Sequence, residues 1–170
     1  KNGVGTTTVL QCAREAGVKR VVYSSTSSGY GYNEPPNVET QPDDCLNPYS
    51  VSKIAAEKMC KMYSDLYGLE TVVLRYFNVF GERSPTRGQY APVIGIFERL
   101  RDGGEPLTIV GDGTQRRDFI YVKDVARANY LASIMPLKKR RNGYGHDYVG
   151  EVFNVGSGIN YSVQEVADCI

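Results

Sequence analysis

A chain of 170 residues, 41% hydrophobic and 23% charged, is long enough for one domain with a sizeable core. Its formal net charge of +1 gives no global electrostatic pull toward nucleic acid or an anionic membrane surface, and it has no run of about 18 apolar residues to span a bilayer. Four scattered cysteines (Cys12, Cys45, Cys60, Cys169) form no Cys-x-x-Cys pair and have no histidine at ligand spacing. That speaks against a metal site or a disulfide framework and for reduced thiols in a cytosolic protein, with a small molecule as the expected partner.

The chain opens on helix-like sequence with neither a Met nor a signal-peptide pattern, so the expectation is that further sequence lies upstream. Residues 4–16 read as a helix with apolar Val4, Val9, Leu10 and Ala13, ended by Gly17. Residues 18–23 read as a short strand bounded by the hydroxyl-rich run Ser24, Ser25, Thr26, Ser27 and Ser28. In an open α/β sheet the crevice outside the carboxyl ends of the strands is where ligands bind, so hydroxyls are useful there. The alternative is a flexible Ser-rich linker. Residues 33–46, with Pro35, Pro36 and Pro42, read as a surface loop.

Asn47 is a favoured helix N-cap and Pro48 suits the first helical position, so the spacing predicts a helix over 48–67 stopped by Gly68. Within it Tyr49 and Lys53 are four residues apart and share one face. An ammonium held beside a phenol favours the phenolate, and a tyrosine so tuned can act as general base or acid. Alone the pair carries little weight in a chain with 13 Tyr; an amphipathic helix that exposes a Tyr and a Lys is the plain alternative.

Residues 70–77 form a continuous apolar run of the kind expected for a strand buried on both faces of a parallel sheet, closed by Asn78, Val79, Phe80 and Gly81. Strand, helix and strand thus alternate as in βαβ units. A helix is expected over 91–101, stopped by Gly103 and Gly104, then a short strand over 107–110 before a Gly111, Asp112, Gly113 turn. Residues 118–122 read as a strand, and Asp124 as the cap of a helix that reaches Met135 and stops at Pro136.

The basic run Lys138, Lys139, Arg140 and Arg141 sits in a loop with Gly and Tyr; it reads as a solvated turn or insertion, or as an anion-binding patch. His146, the one histidine, reads as a surface residue. Residues 151–155 are the last expected strand, and Ser162 with Glu165 is a capping box that opens a helix. There is no internal repeat, and no Gly-x-Gly-x-x-Gly.

Taken together, Ser24, Ser25 and Thr26, then Tyr49-x-x-x-Lys53, then the Arg75 to Gly81 run, then Arg117 to Val122 with Asp124, resemble the extended short-chain dehydrogenase/reductase family, in particular its nucleotide-sugar 4-epimerases. The resemblance covers essentially the whole chain. It implies an α/β fold: a Rossmann-type doubly wound parallel sheet, lacking its first βαβ units, with part of a smaller substrate domain. Residues 1–80 would be the later part of the NAD-binding domain, and 81–170 mostly substrate-binding segments interleaved with late Rossmann elements at about 117–155.

By the same resemblance Tyr49 would be the catalytic acid/base, and Lys53 would hold the nicotinamide ribose while stabilising the phenolate. Thr26 would share the sugar hydroxyl with Tyr49. Ser24, Ser25 and Tyr76 would lie near the nicotinamide, and Asn2, in an Asn-x-x-Gly-Thr pattern, would contact the cofactor. Asn78 and Arg117 would meet the nucleotide diphosphate, with backbone around Thr108 to Val110 at the uracil. The implied reaction oxidises carbon 4 of a UDP-sugar and returns the electrons to the opposite face, with NAD regenerated.

The family's 4,6-dehydratases carry Asp-Glu after the Thr, where this chain has Ser27 and Ser28, so dehydration is disfavoured. A UDP-glucuronate decarboxylase, a reductase or a non-catalytic dinucleotide sensor stay open as alternatives. A cytoplasmic homodimer through a four-helix bundle that includes the Tyr49 helix is implied as well, with no metal. The glycine-rich phosphate loop would lie before Lys1 and a further substrate segment after Ile170, so this chain alone is expected to bind NAD weakly and not turn over.

Overall fold

The computed structural model describes residues 2–88, 91–143, 145 and 147–170, and within it the chain divides into two compact units. One comprises residues 1–76 and 127–155, the other 77–126 and 156–170.

The first unit is built on a three-stranded parallel sheet in the order β1, β2, β7, where β1 is Arg20–Thr26, β2 is Glu70–Tyr76 and β7 is Gly150–Val155. The register brings the carboxyl ends together: Thr26 stands beside Tyr76, and Tyr76 beside Val155. The central strand is buried on both faces from Thr71 to Arg75, as its unbroken apolar run requires. Two helices, α1 (Asn2–Glu15) and α2 (Pro48–Tyr67), pack together on the sheet. Leu10, Ala13, Cys60, Tyr63, Leu69 and Val73 form the core between them, with each fully buried side chain contributing about 1.5–3 kcal/mol.

The ends of α2 follow from its sequence. Asn47 is extended and its side chain accepts from the Ser50 amide (2.8 Å), while the Ser50 hydroxyl faces the Asn47 amide in return, with Pro48 opening the helix. At the other end Gly68 takes φ +69° and donates its amide to the Ser64 carbonyl, a conformation in which any Cβ is strained. Small residues let α2 sit close to β7: the Ser64 hydroxyl, fully buried, donates to the Val149 carbonyl (2.7 Å), and Gly150 lies against the same serine.

The hydroxyl-rich run is part of the sheet, not a linker. Ser24, Ser25 and Thr26 complete β1, and Ser27–Tyr30 is a 3-10 turn capped by the Thr26 side chain. The turn ends at Gly31, where φ is +56° and a Cβ would lie 1.8 Å from the Asp44 carbonyl oxygen, so the surface loop over 33–46 closes tightly on it. Within the basic run at 138–141, β5 (Arg140–Arg141) pairs antiparallel with β6 (Asp147–Tyr148), and Arg140 pairs with Glu151 (2.9 Å). The expectation for His146 falls outside the described residues.

In the second unit, β3 (Asn78–Phe80) runs parallel to β4 (Arg116–Tyr121), which pairs antiparallel with β8 (Asn160–Ser162). Phe97 and Leu100 of α3 (Val93–Asp102) and Val163 of α5 (Val163–Cys169) centre its core. The capping box at Ser162 and Glu165 opens α5 as the spacing predicts, whereas α4 (Val122–Ile134) begins two residues before Asp124, which stands in its first turn. The strand expected over 107–110 is absent. Leu107 and Ile109 turn into the core while Thr108 and Val110 face solvent, so the alternation is real, but the segment makes no ladder.

Candidate active site

Tyr49 and Lys53 stand on the first turns of α2 at the carboxyl ends of the sheet. Tyr49 is 51% exposed. Lys53 is half-buried and its Nζ donates to the Ser24 carbonyl (2.8 Å), passing over the Tyr23 ring at 5.1 Å. Burial lowers the pKa of Lys53, and it pushes the neighbouring Tyr23 phenol up to about 12. Tyr23 therefore stays a neutral wall. With one of its three N–H groups on Ser24, the Lys53 ammonium has two without an acceptor among the described residues, open to a ligand.

Strand alternation sorts the hydroxyls. Ser24 is exposed and its Oγ lies 2.9 Å from the Tyr76 hydroxyl, which in turn donates to Asn129 Oδ1 (2.9 Å). Because Tyr76 has one proton and gives it to Asn129, Ser24 donates to Tyr76. Ser25 points to the other side: it is 4% exposed, and its hydroxyl donates to the Glu57 carboxylate. Thr26 is buried, accepts from the Ser28 amide (3.1 Å) and donates to the Ser28 hydroxyl (3.0 Å). Asn2 donates to Ser52 Oγ (3.0 Å), which donates to the Tyr49 carbonyl (2.8 Å), so the start of α1 is tied to the turn that carries Tyr49.

Thus the first unit gathers Tyr49, Lys53, Ser24 and Tyr76 on one exposed edge, with Asn2 and Thr26 supporting the backbone beside them and Ser25 facing inward. An ammonium with free N–H groups beside two hydroxyls suits the ribose and carboxamide of a dinucleotide, so the donor set fits NAD. Asn129 and Glu57 were not singled out from sequence. Glu57 continues the four-residue spacing of Tyr49 and Lys53, a signal present in the chain; Asn129 has none, since it reaches Tyr76 across 53 positions.

The remaining candidates lie in the second unit. Asn78 donates to the Asp118 carbonyl (2.8 Å), bridging β3 and β4. Arg117 is exposed, and its guanidinium donates to the Arg116 carbonyl (2.8 Å) and to Gln115 (3.3 Å). Thr108 and Val110 are exposed. Next to Arg117 in β4, Asp118 accepts from the amide and hydroxyl of Ser157 (2.8 Å each) and the Gly158 amide (2.9 Å), and a Cβ on Gly156 would come within 2.7 Å of its carboxylate. Among the described residues no group of three His, Cys, Asp or Glu side chains could hold a metal, the four cysteines are free, and no helix is long and apolar enough to cross a membrane.

Known proteins resemble this chain over nearly its whole length. A protein of Methanocaldococcus jannaschii, provisionally named a UDP-glucose 4-epimerase, is 39% identical over 173 residues, which cover 99% of this chain and 52% of that protein. The UDP-N-acetylglucosamine 4-epimerase of Methanobrevibacter ruminantium, solved with UDP-N-acetylmuramic acid, superposes with a TM-score of 0.89 at 33% identity over 98% of this chain and 50% of that one. The UDP-glucuronic acid 4-epimerase of Bacillus cereus, solved with UDP-glucuronic acid and NAD, gives a TM-score of 0.81 at 30% identity over 97% and 48%. The chain spans about half the length of the curated relatives it matches, and its sheet is Rossmann-type. The model of the NAD dependent epimerase/dehydratase family matches residues 1–156, and the chain belongs to that family.

Proposed function

We propose that the whole protein interconverts UDP-sugars epimeric at carbon 4, with NAD as a resident cofactor. The observation that carries this reading is the Lys53 ammonium anchored on the Ser24 carbonyl at the end of β1, one helical turn from the exposed Tyr49. Bound NAD supplies a reversible two-electron acceptor for carbon 4. The chain's own part is proton handling and placement. Tyr49 takes and returns the proton of the 4-hydroxyl, Thr26 orients that hydroxyl, and Lys53, one helical turn on, holds the nicotinamide ribose. Ser24 and Tyr76, with Asn2 behind Tyr49, complete the cofactor side. Asn78, Arg117 and the backbone of 108–110 are assigned to the nucleotide, an Arg fork suiting a diphosphate.

Epimerisation is favoured over dehydration within the family by the turn after Thr26. Eliminating water across carbons 5 and 6 needs an acid and a base, and Ser27 and Ser28 offer hydroxyls only, one of them bound to Thr26. A homodimer whose contact includes α2 is part of this reading, supported by the exposed apolar side chains of Val51, Met59 and Leu66 on that helix. Light scattering on the whole protein is expected to give twice the chain mass; a monomer mass removes this part of the reading. A reducing compartment such as the cytoplasm suits the free thiols, two of them exposed.

The deciding experiment incubates the whole protein with UDP-glucose, UDP-N-acetylglucosamine or UDP-glucuronate and follows the anomeric protons by NMR. Growth of the 4-epimer's signal is the expected result. An unchanged spectrum with all three sugars overturns the assignment for these substrates, and loss of the carboxylate from UDP-glucuronate replaces it with a decarboxylase.

A further inference from the structure

Glu57 has no part in the chemistry above, yet it is the most constrained carboxylate in the first unit. It is 6% exposed and is held from two strands. Its Oε1 accepts from the Ser25 hydroxyl of β1, and both oxygens accept from Arg75 of β2, at 3.1 Å from Nε to each and 2.7 Å from an η nitrogen to Oε2. Arg75, 5% exposed, also reaches Asp43 (3.3 Å) and lies over the Tyr30 ring at 4.9 Å, and the Tyr30 hydroxyl donates to Asn154 of β7 (2.6 Å). The carboxylate is thereby referenced to all three strands of the sheet.

The spacing along α2 gives this clamp its meaning. Tyr49, Lys53 and Glu57 recur at four-residue intervals, so they follow one another along one side of the helix. Lys53 grips the carbonyl of Ser24 from the exposed side, and Glu57 grips the hydroxyl of the next residue from the buried side. An apolar pair can hold helix and sheet together as firmly as a buried ion pair, so what Glu57 adds is the direction of its hydrogen bonds to Ser25 and Arg75. We propose that Glu57 is a positioning residue: through Ser25 it locks the carboxyl end of β1 against α2 and sets where the Tyr49 and Lys53 side chains stand relative to the Ser24 and Thr26 hydroxyls. This rests on the reading of Tyr49 and Lys53 as the reacting pair.

The test makes Ser25→Ala, Glu57→Gln and the double variant in the whole protein and measures kcat, KM, the thermal midpoint and amide hydrogen exchange. Ser25→Ala leaves the Glu57–Arg75 pair intact. It is expected to lower kcat about tenfold with KM within roughly a factor of two, because a misplacement of about 1 Å costs on the order of a hundredfold and this is a partial release. Exchange at Ser25 and Thr26 is expected to rise about tenfold while Val21 and Val22 are unchanged, and the thermal midpoint is expected to stay within about 4 °C. The double variant is expected to be no slower than the slower single, the signature of two groups acting through one contact.

Wild-type kcat with unchanged exchange in Ser25→Ala overturns the proposal, as do additive losses in the double variant. So does a raised KM at constant kcat, which would place Ser25 in ligand binding. If Glu57→Gln does not fold, Ser25→Ala decides alone. If the wild type forms no 4-epimer, the exchange readout still decides the clamp while the epimerase reading falls; if it does and Ser25→Ala changes nothing, the clamp falls and the epimerase stands.

Discussion

Tyr49→Phe in the whole protein is expected to lower kcat by about 10²–10⁴, the range supplied by one positioned proton-transfer group, with KM for the UDP-sugar changed far less. The substitution removes a single oxygen from a side chain that is half in solvent, so the thermal midpoint should hold. Neither Tyr23 nor Tyr76 can take over. Tyr23 lies under the Lys53 ammonium, but burial pushes its phenol up to about 12, far from the pH at which it could accept a proton. Tyr76 gives its proton to Asn129 and accepts from Ser24, so its hydroxyl is already engaged on both sides. The anomeric NMR assay measures the loss. A variant that keeps more than about a tenth of the wild-type kcat assigns proton transfer to another group and removes Tyr49 from the chemistry.

Much of the architecture is legible where a local chemical signal marks it. Asn47, Pro48 and Gly68 fix both ends of α2, and the unbroken apolar run of β2 announces a strand covered on both faces. The candidate site is legible to the extent that its members lie close in sequence or carry a spacing, as Tyr49 and Lys53 do. What escapes is set by partners far along the chain. β8 is three residues with two polar side chains, and it is a strand only because Arg116, Arg117 and Asp118 pair with it from more than forty positions away. The 107–110 segment has the alternation of a strand but no ladder to join. Reading β1 as ending at Tyr23 hides the one rule that separates Ser24 from Ser25, since only a strand that continues to Thr26 turns successive hydroxyls to opposite faces. Arg75 inside an apolar run looks like an exception until Glu57, on the helix before it, supplies the charge it needs.

That last pair carries the largest expected effect on stability. Arg75→Leu in the whole protein is expected to cost about 3–5 kcal/mol, because it leaves Glu57 as a buried carboxylate whose remaining partner among the described residues is the Ser25 hydroxyl. Asp43 loses a second cation but sits nearer solvent and keeps Lys58, so it adds little. Replacing both members, Arg75→Leu with Glu57→Leu, is expected to recover most of the loss, since two apolar side chains of similar reach remove the stranded charge along with its partner. By contrast Arg101→Ala, which breaks a pair with Asp102 that is more than half exposed, is expected to change stability by less than about 1 kcal/mol. Chemical denaturation of the three variants separates these cases. If Arg75→Leu costs under about 1 kcal/mol, water reaches Glu57 in the folded protein and the pair is not buried as the fold places it; if the double variant is as unstable as the single, the loss comes from the packing of Arg75 over Tyr30 and not from the charge left behind.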